Sequence, residues 1–163
     1  MTTASAIERV ALIFCTRADE RYLVEFVSDQ PDGPRQWRFP ITELIADPNG
    51  ERESPAAAAR RLAKEDFGHD VNPMQCHGLQ DYVRDGFRYH PILVRVANAG
   101  ELSLPPGGVA EWKTFPALVL IAEHGLFPPA HLALLNTAEE HLQEDEERNP
   151  EEDDDPDPTF TEL

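Results

Sequence analysis

The sequence predicts an α/β domain, and three observations carry that prediction. An apolar run of strand formers near the N-terminus is followed by a second one in hairpin relation to it. A short alanine-rich helix stands between two groups of strands, and a helix with leucines at helical spacing follows the last strand. The chain of 163 residues is long enough for one domain with a substantial core, and no internal repeat divides it.

Ile7 to Phe14 is mostly apolar and reads as a buried strand. Asp19-Glu20 marks a turn into Tyr22–Val27, rich in β-branched and aromatic residues, so the pair forms a hairpin. Pro31-Asp-Gly-Pro34 is a turn cluster, Gln36–Phe39 a short strand that Pro40 ends, and Ile41 to Arg52 a twelve-residue loop centred on Asp47-Pro-Asn-Gly50. Ser54 is placed to cap a helix whose first residue, Pro55, sits where a missing N–H costs nothing. Four alanines propagate that helix, Ala59, Ala63 and Phe67 share one face, and Gly68 supplies a left-handed cap. Gln75–Val83 and Tyr89–Val96 read as strands joined across Asp85-Gly86. Pro105-Pro-Gly-Gly108 is the strongest break in the chain. Glu111–Phe115 is a short strand, Ala117–Glu123 a helix opened by Pro116, and a last helix covers about Ala130 to Leu142.

The formal charge of −17 is unevenly spread. From Glu139 to Leu163 there are 13 acids and one base, or −12, while the other 138 residues carry 18 acids and 13 bases, or −5. A domain over residues 1–142 and an acidic, disordered tail over 143–163 follow, because a run such as Glu151-Glu-Asp-Asp-Asp-Pro-Asp157 repels itself and has little apolar surface to bury. Such a tail opposes general nucleic-acid binding, and serves either solubility or the docking of a basic protein partner. Cys15 and Cys76 lie apart in apolar surroundings and give neither a disulfide framework nor a metal knuckle. With no leader pattern and no apolar segment of membrane-spanning length, the expected location is cytoplasmic, away from membranes.

The chemistry concentrates on Glu53–Gly68. Leu62, Glu65 and Asp66 lie at i, i+3 and i+4 and share a helix face. Adjacent carboxylates repel unless a cation or a basic neighbour offsets them, and Mg²⁺ can be held by two carboxylates completed by phosphate oxygens and water. In isolation, two such acids form a solvated face more often than a metal site. Trp37 and Phe39 serve either to stack on a base or as core aromatics. Tyr82, Arg84, Arg88 and Tyr89 are placed to line a cleft, and His77 and His90 to meet across their hairpin.

The order of these elements, with Trp37-Arg-Phe-Pro40 before the loop and Glu65-Asp-Phe-Gly68 closing the helix, resembles the Nudix family over roughly residues 6 to 142. Laid on without gaps, the family's signature matches Glu53, Arg61, Glu65, Asp66 (for a glutamate) and Gly68. It departs at Leu62, where the family has a metal-binding glutamate, at Ala63 in an aliphatic position, and at Asp47 in place of the first glycine. Ile41 and Thr42 stand where two glycines usually follow the proline. The resemblance implies an α/β/α sandwich around a mixed sheet. It also implies Mg²⁺, with Mn²⁺ as a substitute, held by Glu65, Asp66 and Glu53, and water attack on a nucleoside diphosphate-linked substrate. Glu111 would then be a later catalytic carboxylate beside Glu65 and Asp66, Trp37, Arg38, Phe39 and Arg61 would contact substrate, and a homodimer would be in keeping with the family.

Two functions of different class follow. Leucine in place of an anionic ligand removes charge and coordination, so the first is a Nudix-like module with weakened or lost hydrolysis, acting as a nucleotide-ligand sensor or protein-interaction surface. The alternative is an active Mg²⁺-dependent pyrophosphohydrolase.

Overall fold

The computed structural model describes residues 7–28, 32–46, 48–104 and 109–148, the side chains of 145–148 excepted. The strands are β1 (Ile7–Thr16), β2 (Arg21–Val27), β3 (Gln36–Arg38), β4 (Ile41–Glu43), β5 (Cys76–Gly78), β6 (Tyr82–Arg84), β7 (Phe87–Val96) and β8 (Ala110–Thr114). The helices are α1 (Pro55–Phe67), α2 (Phe115–Glu123) and α3 (Pro129–Arg148).

All eight strands form one mixed sheet. Its spine runs β3-β2-β1-β7-β5, with β4 paired to β1, β6 to β7 and β8 to β2. The parallel pair β1–β7 keeps one register from Ile7↔Phe87 to Thr16↔Val96, and the other pairings are antiparallel. Side chains alternate across a strand, and β1 shows the consequence. Val10, Leu12 and Phe14 pack with Ala58, Ala59, Leu62, Ala63 and Phe67 of α1. Ala11, Ile13 and Cys15 pack on the other face with Leu118 of α2 and Leu134, Leu135 and Ala138 of α3. The result is the α/β/α sandwich around a mixed sheet.

Local chemistry sets the bounds of α1 as its sequence predicts. Ser54 Oγ accepts the Ala57 N–H at 3.1 Å, Pro55 opens the helix, and Gly68 takes φ 62° at its end. There the Gly68 N–H reaches Lys64 O and the His69 N–H reaches Ala63 O, each at 3.1 Å, satisfying carbonyls that the helix leaves open. The stripe of alanines lets the helix approach the sheet closely.

Three elements differ from expectation. The stretch 75–83 is a 3₁₀ turn followed by two short strands, β5 and β6, both on β7. The pairing shifts by one residue between Gly78↔Ile92 and Tyr82↔Tyr89, so the extra residue makes a bulge. The loop 41–52 begins with a strand, because Ile41–Glu43 finds a ladder on β1 through Arg9↔Glu43. The last helix passes Leu142 and runs to Arg148, since Gln143–Arg148 are good helix formers. Asp47, Pro105–Gly108 and the acidic stretch from Asn149 onward lie outside the described residues. No helix among the described residues is long and apolar enough to cross a membrane.

Candidate functional site

The signature residues of α1 assemble around one ion pair. Arg61 reaches Glu53 through Nη2–Oε1 at 2.6 Å and Nε–Oε2 at 3.3 Å, and the same Nη2 donates to Thr42 Oγ1 and to Glu43 O. Glu53 Oε1 also accepts the Ile45 N–H at 3.0 Å. This network ties α1 to β4 and to the loop entering the helix. The Arg61 hydrogen bonds hold the Glu53 carboxyl below its ordinary value, against the opposing effect of burial. Both Glu53 oxygens are engaged in bracing the loop, so its position is that of a structural partner of Arg61.

Glu65 and Asp66 project outward beyond this brace. Glu65 is 63% exposed, with Arg61 Nη1 at 3.9 Å. Partial burial, then the neighbouring Glu65, push the Asp66 carboxyl up, and Arg61 opposes them. Glu25 on β2 is raised too, first by burial and then by Asp66, with Arg38 opposing. Glu25 follows Leu23 by two residues and therefore shares its α1-side face, so it is Glu25 that approaches Asp66. Its strand alternation was the available signal for it, and sequence reasoning missed it.

Leu62 does not stand open beside the acids. It is only 6% exposed and belongs to the α1-side core. Among the described residues, no group of three or more His, Cys, Asp or Glu is placed to hold a metal ion. The donor set at the signature helix is thus two outward carboxylates where the resemblance calls for three, and no reaction step is derived through a metal.

Three expectations need correction. Glu111 does not face α1. Its strand neighbours Ala110 and Trp112 pack on the α1 side, so alternation turns Glu111 to the opposite face, where its carboxylate binds Lys113 Nζ at 3.0 Å. Phe39 is fully buried between Tyr22, Phe127 and His131 and offers no face to a ligand. Trp37 is half-buried, packed against Phe26 and covered by Lys113, whose Nζ lies 4.3 Å from a ring centroid. His77 and His90 do not meet. His77 lies near the ring of His141, while His90 is held between Glu8, at 2.8 Å, and Asp81, at 3.1 Å.

A cleft opens beside the α2/α3-side core. It encloses about 670 Å³ and is lined by Arg9, Gln36, Arg38, Ile41, Arg84, Phe87, Tyr89, His131 and the Pro128-Pro129 entry to α3, among others. A recess of about 320 Å³, bordered by Thr42 and Glu43, shares Arg9, Ser28, Arg38 and Ile41 with it. Neither Glu65 nor Asp66 lines either space. Of the residues expected at a cleft, Arg38, Arg84 and Tyr89 are there. Arg9, Gln36, Phe87 and His131 were not anticipated, because β1, β3, β7 and α3 converge on the cleft only in three dimensions. The His131 imidazole is nearly fully buried, and its Nδ1 accepts the Phe39 N–H at 3.1 Å, which leaves the other ring nitrogen to carry the proton of the neutral form. Arg9, whose guanidinium carbon lies over the Phe87 ring, shares this lining with Arg38, with Arg84 and with Asp85, whose carboxylate lies 3.5 Å from Arg84 Nε.

No family model and no curated protein matches the sequence. Solved structures do match in fold. The C-terminal domain of mouse MUTYH, in a complex with human PCNA, shares 15% identity over 83% of this chain and 89% of its own, with a TM-score of 0.62. The NUDIX domain of Shewanella oneidensis NrtR, crystallised with ADP ribose, shares 16% identity over 86% of this chain and 90% of its own, with a TM-score of 0.62. A C. elegans Ap4A hydrolase in a binary complex shares 18% identity over 85% of this chain and 98% of its own, with a TM-score of 0.58. At such identities the likeness is one of fold: this chain has a Nudix-like α/β/α fold.

Proposed function

We propose that this protein is a Nudix-like ligand-binding module in which metal-dependent hydrolysis is weakened or lost, and that its arginine-lined cleft takes a nucleotide or related diphosphate. The observation that carries this reading is Leu62, packed in the core where the resemblance places an anionic metal ligand. The arginines and aromatic rings of the cleft support a retained affinity for anionic, planar ligands. Burial of an apolar side chain at that point removes one charge and one donor from any bound cation, and loss of an anionic metal ligand lowers the affinity for the cation, so that less of the protein would carry an activated water. Arg61 and Glu53 then keep the loop in shape without serving catalysis. The test is calorimetry of the intact chain with ADP, ADP-ribose and inorganic pyrophosphate, each with and without Mg²⁺, beside a turnover screen of nucleoside diphosphate-linked substrates. Binding that does not require Mg²⁺, with no turnover above a Glu65→Gln control, is expected.

A second reading, an active Mg²⁺-dependent pyrophosphohydrolase, is favoured by the approach of Glu25 to Asp66, which brings a further carboxylate toward the Glu65–Asp66 pair. Metal-dependent turnover lost in both Glu65→Gln and Glu25→Gln would establish it in place of the first.

A further inference from the structure

The central guanidinium carbon of Arg9 lies over the Phe87 ring, 3.8 Å from its centroid. The position follows from the pleat. Arg9 continues the column Ala11, Ile13, Cys15, whose side chains fill the α2/α3-side core, so the charge appears where that apolar column reaches the cleft. Phe87 and Tyr89 stand on the neighbouring parallel strand, Tyr89 directly across from Arg9. Glu43, across the antiparallel partner β4, restrains Arg9 from the other side at 3.9 Å. The side chain is 22% exposed and lines both the cleft and the adjoining recess. A guanidinium fixed in this way has little rotamer freedom left to lose on binding.

We propose that Arg9 is the specificity-determining residue of this cleft: resting on Phe87, it presents a planar, charged platform on which the flat ring system of a ligand stacks, while Arg84 at the β6–β7 turn faces the anionic part. The assignment rests on the ligand-binding reading above and deepens it by naming what selects the ligand. Arg9 would read the ring and not the phosphate. A guanidinium stacks where an ammonium of equal charge does not, because it is planar and weakly hydrated. Phe87 contributes by keeping the platform flat, and therefore acts through Arg9.

The experiment measures Kd for two probes, ADP and inorganic pyrophosphate, by calorimetry on the full chain and on its Arg9→Lys and Phe87→Leu variants, with circular dichroism to confirm the fold. Arg9→Lys keeps the charge and removes the plane, so ADP should weaken about tenfold while pyrophosphate stays within about twofold. Phe87→Leu should show the same split in smaller degree. A parallel loss for both probes, or no loss in Arg9→Lys, overturns the stacking assignment and leaves the ligand-binding reading in place. A parent chain that binds neither probe overturns the reading itself, and the assignment with it.

Discussion

Replacing Leu62 by glutamate tests the reasoning about α1 most directly. Leu62 is 6% exposed among Ala58, Ala59, Phe67 and the strand residues of its core. Burying a leucine contributes about 1.5–3 kcal/mol. The substitution keeps part of that carbon surface but brings in a carboxyl without a buried partner. A burial that raises its pKa by about three units above the unfolded value of about 4.3 costs about 3.5 kcal/mol at pH 7, and about 4 kcal/mol at higher pH, at about 1.4 kcal/mol per unit. A domain has about 5–15 kcal/mol in total, so Leu62→Glu should be close to unfolding at neutral pH. The sign of the pH effect is fixed. A carboxyl raised in the folded state is protonated in both states below about pH 4, so the penalty is absent there and grows as pH rises toward the folded pKa. Urea denaturation followed by the fluorescence of Trp37 and Trp112, from pH 4 to 8, measures it. Magnesium supplies the second arm. If the new carboxylate joins Glu65 and Asp66, 10 mM Mg²⁺ against a Kd of about 0.1 mM returns about 2.7 kcal/mol to the variant and nothing comparable to the parent. A loss below about 1 kcal/mol at pH 7 without Mg²⁺ would refute the burial of Leu62. A parent stabilised by Mg²⁺ as strongly as the variant would refute the claim of a missing donor.

Other consequences are as open to measurement. The Glu53–Arg61 pair, each partner about four-fifths buried at its side chain, should give a coupling of about 1–2 kcal/mol in a Glu53→Gln, Arg61→Gln double-mutant cycle. Because Arg61 lowers the Glu53 pKa in the folded state, that contribution is present above the unfolded value of about 4.5 and fades as pH falls through the folded one. A cycle that gave the same coupling at pH 3 as at pH 7 would contradict it. Tyr22, fully buried with its hydroxyl 2.5 Å from Glu139 of α3, should lose about 1–3 kcal/mol on Tyr22→Phe, read by thermal or urea unfolding; an unchanged midpoint would sink the assignment. Burial pushes the Cys15 thiol up to about 12 and raises Cys76 as well, but only Cys76 is partly accessible. At pH 8 a thiol reagent should therefore modify Cys76 slowly and Cys15 only on unfolding, which mass spectrometry of the labelled chain resolves. Rapid modification of Cys15 in the native protein would count against its place in the core.

Much of the fold was legible before the structure. The bounds of α1 were written in Ser54, Pro55 and Gly68, because capping is a matter of neighbouring groups within one turn. The hairpin turn at Asp85-Gly86 was equally local, and both residues take positive φ there. The long helix at the end was visible in its leucines, although its last turn and a half was not. The strand at Ile41–Glu43 left no mark in its own sequence, since a three-residue strand exists only by virtue of the ladder that β1 offers it. The break between β5 and β6 was hidden for the same reason: a bulge is a property of two strands together.

The site divides along the same line. Sequence alone determined the adjacent acids Glu65 and Asp66 of α1 and a leucine where an acid was expected, while the pairing of Arg61 with Glu53, a residue expected on a metal, came from the structure. The acids and the leucine lie on one stretch of helix, where helical spacing fixes which side chains can meet. Only the tertiary structure decided that Leu62 is buried, that Glu111 turns away while Glu25 turns toward Asp66, and that Phe39 belongs to the core. It also decided that Arg9, Arg38, Arg84 and Phe87 border one cleft. These are facts about which face a residue occupies and which strand lies beside it. They follow from the register of strands distant in sequence, such as β1 against β7, which no local pattern encodes.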